Sequence, residues 1–230
     1  MNYKIEIATT DFESTQAAVK GGADRIELCA NLGEGGTTQS YGVIKKSREL
    51  FNVQLYPIIR VRGGDFLYSE EEFQCMKYDA LMCKELECDG VVIGFLKKDG
   101  SIDIKRTAEI VEAVYPLGVT FHRAFDRCND PFEALEQLIK IGCTRILTSG
   151  QQKTVPEGVA LIKQLNEQAN NKIIIMPGSG VRTNNVKELA VKTGCSEFHS
   201  SLRTIVETDM NFITPAFAGD KENNHYSVIA

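Results

Sequence analysis

The chain lacks the features that mark a membrane, secreted or nucleic-acid-binding protein. No stretch approaches the roughly 20 consecutive apolar residues that a bilayer-spanning helix needs. Its first segment, MNYKIEIATTDFES, holds no apolar run of signal-peptide length, which predicts a cytoplasmic protein that makes no membrane contact. Lys and Arg form no basic block and the net charge is −5, so a phosphate-neutralising nucleic-acid surface is not expected. The seven cysteines include no C-x-x-C pair, which argues against a closed structural zinc site. In a reducing compartment they are expected as thiols rather than as a disulfide framework.

What is present is regular alternation. Apolar residues make up 43% of the 230 and charged residues 25%, the balance of a globular domain with enough chain to bury a core. Strand-like runs fall at 4–8, 25–29, 53–61, 90–95, 119–124, 145–149, 172–177 and 197–201. Helical segments separate them at about 11–20, 41–50, 70–87, 104–115, 131–141, 156–168 and 184–192. Eight such units with no break in composition predict a (β/α)₈ TIM-type barrel. The segment after Leu202 is a poor helix. The eighth helix is therefore expected to be short, missing or replaced by the C-terminal tail. The expected organisation is one barrel over 1–202, with a tail over 203–230 packed on it.

A weak repeat assigns faces. GADRIE (22–27), ECDGVV (87–92), GCTRIL (142–147) and GCSEFH (194–199) each introduce an even-numbered strand. Cys88, Cys143 and Cys195 share one place in it, where a helix turns into a strand at the barrel's bottom, a place tied to stability rather than chemistry. Side chains alternate along a strand. The repeat therefore turns Ile26, Val91, Ile146 and Phe198 outward and Glu27, Val92, Leu147 and His199 inward. Above the inner row stand Cys29, Gly94, Ser149 and Ser201, small groups expected to leave room for a ligand.

Barrel active sites gather at the C-terminal strand ends, and these ends are unusually polar here. They offer Glu6, Glu27, Cys29, Arg60, Arg62, His122, Arg123, Asp126, Thr148, Ser149, His199, Ser200 and Ser201. Glu27, His122, Asp126 and His199 are the candidates for proton transfer. Arg60 and Arg62 are candidates for holding an anion, or Arg60 for a structural pair with Glu27. After strand seven, MPGSGV leads into a helix. Gly178, Ser179 and Gly180, joined by Ser200 and Ser201, could cradle phosphate on backbone N–H groups, or form a tight turn only. QCMKYDALMCKELEC (74–88) holds soft Cys and Met donors, but scattered as a core-facing helix would scatter them.

The segments GADRIELCANLGEGGTTQS, IRVRGGDFLYS, FHRAFD, ILTSG, MPGSGV and EFHSS, spread over residues 22–201, together resemble the CutC copper homeostasis family. That resemblance implies a cytoplasmic, often dimeric barrel associated with copper, with Cu(I) on Cys29 as the expected metal site and no organic cofactor. The strand-end inventory, rich in carboxylate, imidazole and guanidinium, equally fits an enzyme acting on a small anionic or phosphorylated molecule. The sequence leaves both readings open.

Overall fold

The computed structural model describes residues 3–217 and 225–229. Eight parallel strands form two four-stranded sheets: β1 (Lys4–Thr9), β2 (Arg25–Leu28), β3 (Gln54–Pro57) and β8 (Glu197–Ser200) in one, β4 (Gly90–Ile93), β5 (Gly118–Phe121), β6 (Arg145–Thr148) and β7 (Ile174–Pro177) in the other. Single bridges, Ile58 to Val92 and Gly178 to His199, close the two sheets into a barrel. Among the described residues seven helices surround it: α1 (Phe12–Lys20), α2 (Tyr41–Leu50), α3 (Glu70–Glu85), α4 (Ile104–Val114), α5 (Pro131–Ile141), α6 (Val155–Ala169) and α7 (Val186–Thr193).

Local chemistry sets these elements. Asp11 caps α1 in a reciprocal pair with Ser14, and Ser69 does the same for α3 with Glu72. Asp130 caps α5 ahead of Pro131, and Gly142 ends that helix in the left-handed conformation at φ 95°. Among the described residues no eighth helix follows β8. Instead β9 (Arg203–Glu207) pairs antiparallel with β10 (His225–Ile229), and β10 runs alongside α1.

The face assignment from the repeat holds. Ile26, Val91, Ile146 and Phe198 join the apolar layer between strands and helices. Val92 faces inward and packs with Cys29, Tyr56 and Ile58. Cys88, Cys143 and Cys195 are buried just before their strands. In α3, Met76 and Cys83 are buried while Cys75 is exposed, so its soft donors diverge.

Two expectations change. The fifth strand ends at Phe121, and 123–127 form a 3₁₀ turn, because the His122 side chain accepts the Ala124 N–H and pulls the backbone out of extension. Gly94 leaves no room for a ligand. An added Cβ there would lie 2.2 Å from His122 Cε1, so the imidazole already fills that space.

The bottom of the barrel is closed by charge. Arg25 is 1% exposed and clamped between Glu6 and Glu197, and Arg145 also pairs with Glu197 at 2.8 Å. Tyr56 reaches across to them in the space left by Gly90 and Gly118, with Arg25 and Arg145 each 5.3 Å from its ring. Removing one partner of such a buried set strands the others' charge without compensation. Arg25→Met is therefore expected to cost about 3–5 kcal/mol in urea unfolding. A loss under 1 kcal/mol would show that the network is not the closure of the barrel.

Candidate functional site

Above this plug the barrel opens into a cavity of about 460 Å³, within the range of small-molecule sites. Its floor is built by three adjacent strands. Glu6 of β1, Glu27 of β2 and His199 of β8 all point inward, as their alternation requires, and all are buried. His199 Nδ1 lies 2.8 Å from Glu6 Oε1, and its Nε2 lies 3.8 Å from Glu27 Oε2. Gly178 makes space for this ring, since a Cβ there would meet Leu147 at 2.4 Å and His199 at 3.2 Å.

The electrostatics divide the two carboxylates. Burial alone would raise Glu6, but its hydrogen bond with His199 and the charge of Arg25 outweigh burial and hold it down at about 2. Glu27 has no such guanidinium clamp. Burial raises it to about 7, with His199 pulling it down and Glu6 pushing it up. His199 is itself raised, because the carboxylates of Glu27 and Glu6 more than offset its burial. The result is an imidazole anchored by a permanent carboxylate, facing a second carboxylate poised near neutrality. That is the condition for a general acid–base pair. Glu6, Glu27 and His199 also each offer a ligand atom within 4.8 Å of the others, so the three could hold a metal ion.

The rim is cationic. Arg60, Arg123, Arg127 and Arg182 line the cavity. So do Ser179 and Gly180 of the loop after β7, and Ser200 and Ser201 after β8. Gly178 N–H donates to Thr148 O and the parallel Gly178–His199 bridge takes up the Ser179 N–H, while the amides of Gly180 and Val181 have no acceptor among the described hydrogen bonds. Gly180 has φ 78° and Ser179 φ 85°, so two successive residues of this loop take positive φ. Ser200 Oγ donates to Val181 O at 2.9 Å and ties this loop to β8.

The other expected residues fall in different places. Asp126 lines the cavity, but its carboxylate is committed: it accepts from Arg123 Nε at 2.8 Å, from the amides of Ser149 and Gln151, and from the hydroxyls of Thr148 and Ser149. It anchors Arg123. Arg62 does not reach the cavity; it pairs outside with Glu72 at 2.6 Å and Asp65 at 3.0 Å. Arg60 does not pair with Glu27. Its Nη atoms donate to the carbonyls of Glu34, Gly36 and Gly64. The Cys29 thiol is fully buried and donates to Thr9 O at 3.4 Å. Among the described residues the group able to hold a metal does not include it. Sequence reasoning missed Arg127 and Arg182. Arg182 follows the MPGSGV loop directly, so its place was readable once that loop was taken as a rim.

Comparison with known proteins agrees with the sequence resemblance. The CutC family model matches residues 3–204. The CutC family protein of Parabacteroides distasonis is 53% identical over 209 residues, covering 90% of this chain and 86% of that one. Its counterpart in Chromobacterium violaceum is 49% identical over 212 residues, covering 92% and 86%. The crystal structure of CutC from Streptococcus agalactiae superposes with a TM-score of 0.83 at 35% identity, covering 86% of this chain and 98% of that one.

The charge assignment on the floor gives a direct test. His199→Gln removes the positive charge that favours the Glu27 carboxylate, so the Glu27 titration midpoint is expected to move above its value of about 7. Side-chain carboxyl ¹³C shifts read this. A midpoint that stays or falls would show that His199 does not bear on Glu27.

Proposed function

This chain belongs to the CutC family, and we propose that its cavity binds a small anionic, phosphorylated molecule and moves a proton on it. The observation that carries this reading is the pairing, in one cavity, of a loop whose Gly180 and Val181 amides have no described acceptor with a Glu27–His199 pair tuned to neutral pH. Amides in a left-handed turn, with Arg182 beside them, are a fitting receptor for phosphate oxygens. Glu27 is the base, and His199, oriented by Glu6, returns the proton.

A second reading comes from the family. The Streptococcus agalactiae CutC is provisionally described as a copper homeostasis protein. Carried to this chain, copper would be cargo rather than a resident cofactor. Two positions are available to it: Cys29, whose thiolate suits Cu(I), and the Glu6–Glu27–His199 group, whose hard oxygen and nitrogen donors suit a divalent ion better. The second group is seated on the cavity floor and offers three donors; the first offers one thiol packed with Tyr56, Ile58 and Val92.

Two measurements separate these readings. Titration with inorganic phosphate is expected to shift the amide resonances of Gly180 and Val181, and Arg182→Ala to weaken binding about tenfold, roughly 1.4 kcal/mol. Resonances that do not move would sink the anion reading. Under reducing conditions, loss of stoichiometric Cu(I) uptake in Cys29→Ser would place copper on that thiol. Uptake unchanged in Cys29→Ser but lost in His199→Gln would move it to the floor of the cavity.

A further inference from the structure

Among the described residues, five buried side-chain nitrogen or oxygen atoms have no hydrogen-bond partner, and two of them belong to residues of one cavity wall: Arg60 Nε and His122 Nε2. Native proteins leave few such groups, and each calls for an explanation. The Phe66 ring joins these two. Its centroid is 4.9 Å from that of the His122 ring and 5.1 Å from Arg60 Cζ.

Both atoms are fixed as donors. The carbonyls of Glu34, Gly36 and Gly64 take three of the four Nη protons of Arg60, which leaves its Nε–H and one Nη2–H. His122 Nδ1 accepts the Ala124 N–H at 3.0 Å, so the ring's proton sits on Nε2. Burial, then the neighbouring Arg60 charge, lower His122 to about 3, and the ring stays neutral throughout the physiological range. Such an imidazole can neither act as a base at Nδ1 nor offer Nε2 as a lone pair to a metal. Two buried N–H donors without partners among the residues lining one cavity call for an oxygen acceptor. Gly94 shows that the ring's placement is specific, because any side chain there would displace it.

We propose that Arg60 Nε–H and His122 Nε2–H form a subsite for a carbonyl or carboxylate oxygen of the ligand whose phosphate lies on the 179–181 loop. The subsite rests on the anion reading above and narrows it: the ligand is a short phosphorylated carbonyl compound or carboxylic acid. His122 becomes a hydrogen-bond donor to the ligand, not a proton carrier. The oxygen reaches the two donors by moving the half-buried Phe66 ring aside.

The test compares inorganic phosphate with 2-phosphoglycolate, by calorimetry on the full chain. Wild type is expected to bind phosphoglycolate at least tenfold more tightly than phosphate. His122→Phe keeps a ring against Phe66 but has no N–H. It is expected to bind phosphoglycolate no better than phosphate, with phosphate affinity unchanged. In wild type, the His122 Nε2 proton is expected to shift downfield with phosphoglycolate but not with phosphate, a readout independent of any variant's folding. If phosphate binds but phosphoglycolate gains nothing, or its advantage survives His122→Phe, or the Nε2 proton is still, the subsite is overturned and the anion cradle stands. Failure of both ligands to bind overturns the cradle and the subsite together.

Discussion

One buried guanidinium sets the terms for this molecule. Arg25 sits at the bottom of the barrel with almost no solvent contact, and its charge is tolerable only because Glu6 and Glu197 neutralise it. The same contact fixes Glu6 as a permanent carboxylate. Glu6 then accepts from His199, which turns the other imidazole nitrogen toward Glu27. A run of four side chains thus carries the charge balance of the floor plug up to the cavity. The chemistry at the top depends on a pair whose first duty is to close the bottom. Glu27 comes last and lacks a cation of its own, which is why it alone stays close to neutrality.

The cavity has two characters because its walls come from different halves of the barrel. β1, β2 and β8 supply Glu6, Glu27 and His199. The turn after β5 and the loops after β6 and β7 supply donors: His122, Arg123 held by Asp126, and the amides of Gly180 and Val181. Arginine surrounds the opening, so the field favours an anion before any particular contact forms. The fold itself is common to many chemistries, and what distinguishes this barrel is these placements.

The barrel, its eight strands and the lack of a regular eighth helix among the described residues were legible because they follow from local alternation and from a repeat. The repeat also separated Glu27 and His199 from the outward Ile26 and Phe198, since alternation is a strict rule within a strand. Partnership was not legible. Glu27 and Arg60 look complementary in sequence, yet Arg60 turns to loop carbonyls and Glu27 to an imidazole 172 positions away, contacts that only barrel closure creates. Asp126 looks like a free carboxylate, and its commitment to the Thr148–Gln151 backbone appears only in three dimensions. The spacing of Gly94 suggested open room. That the room belonged to His122 depended on a one-residue change, from strand to 3₁₀ turn, which propensity does not signal.

The seams between the two sheets have a mechanical consequence. Within each half the parallel ladders run four pairs long, two between β5 and β6, while Ile58–Val92 and Gly178–His199 bridge the halves singly. Stress on the barrel therefore concentrates at two lines of weak stitching, and one of them runs through His199 itself. A ligand that touches the 179–181 loop on one side and the Glu27–His199 pair on the other spans that line. It acts as a rivet across the joint, so occupancy of the cavity and stiffness of the barrel become one quantity.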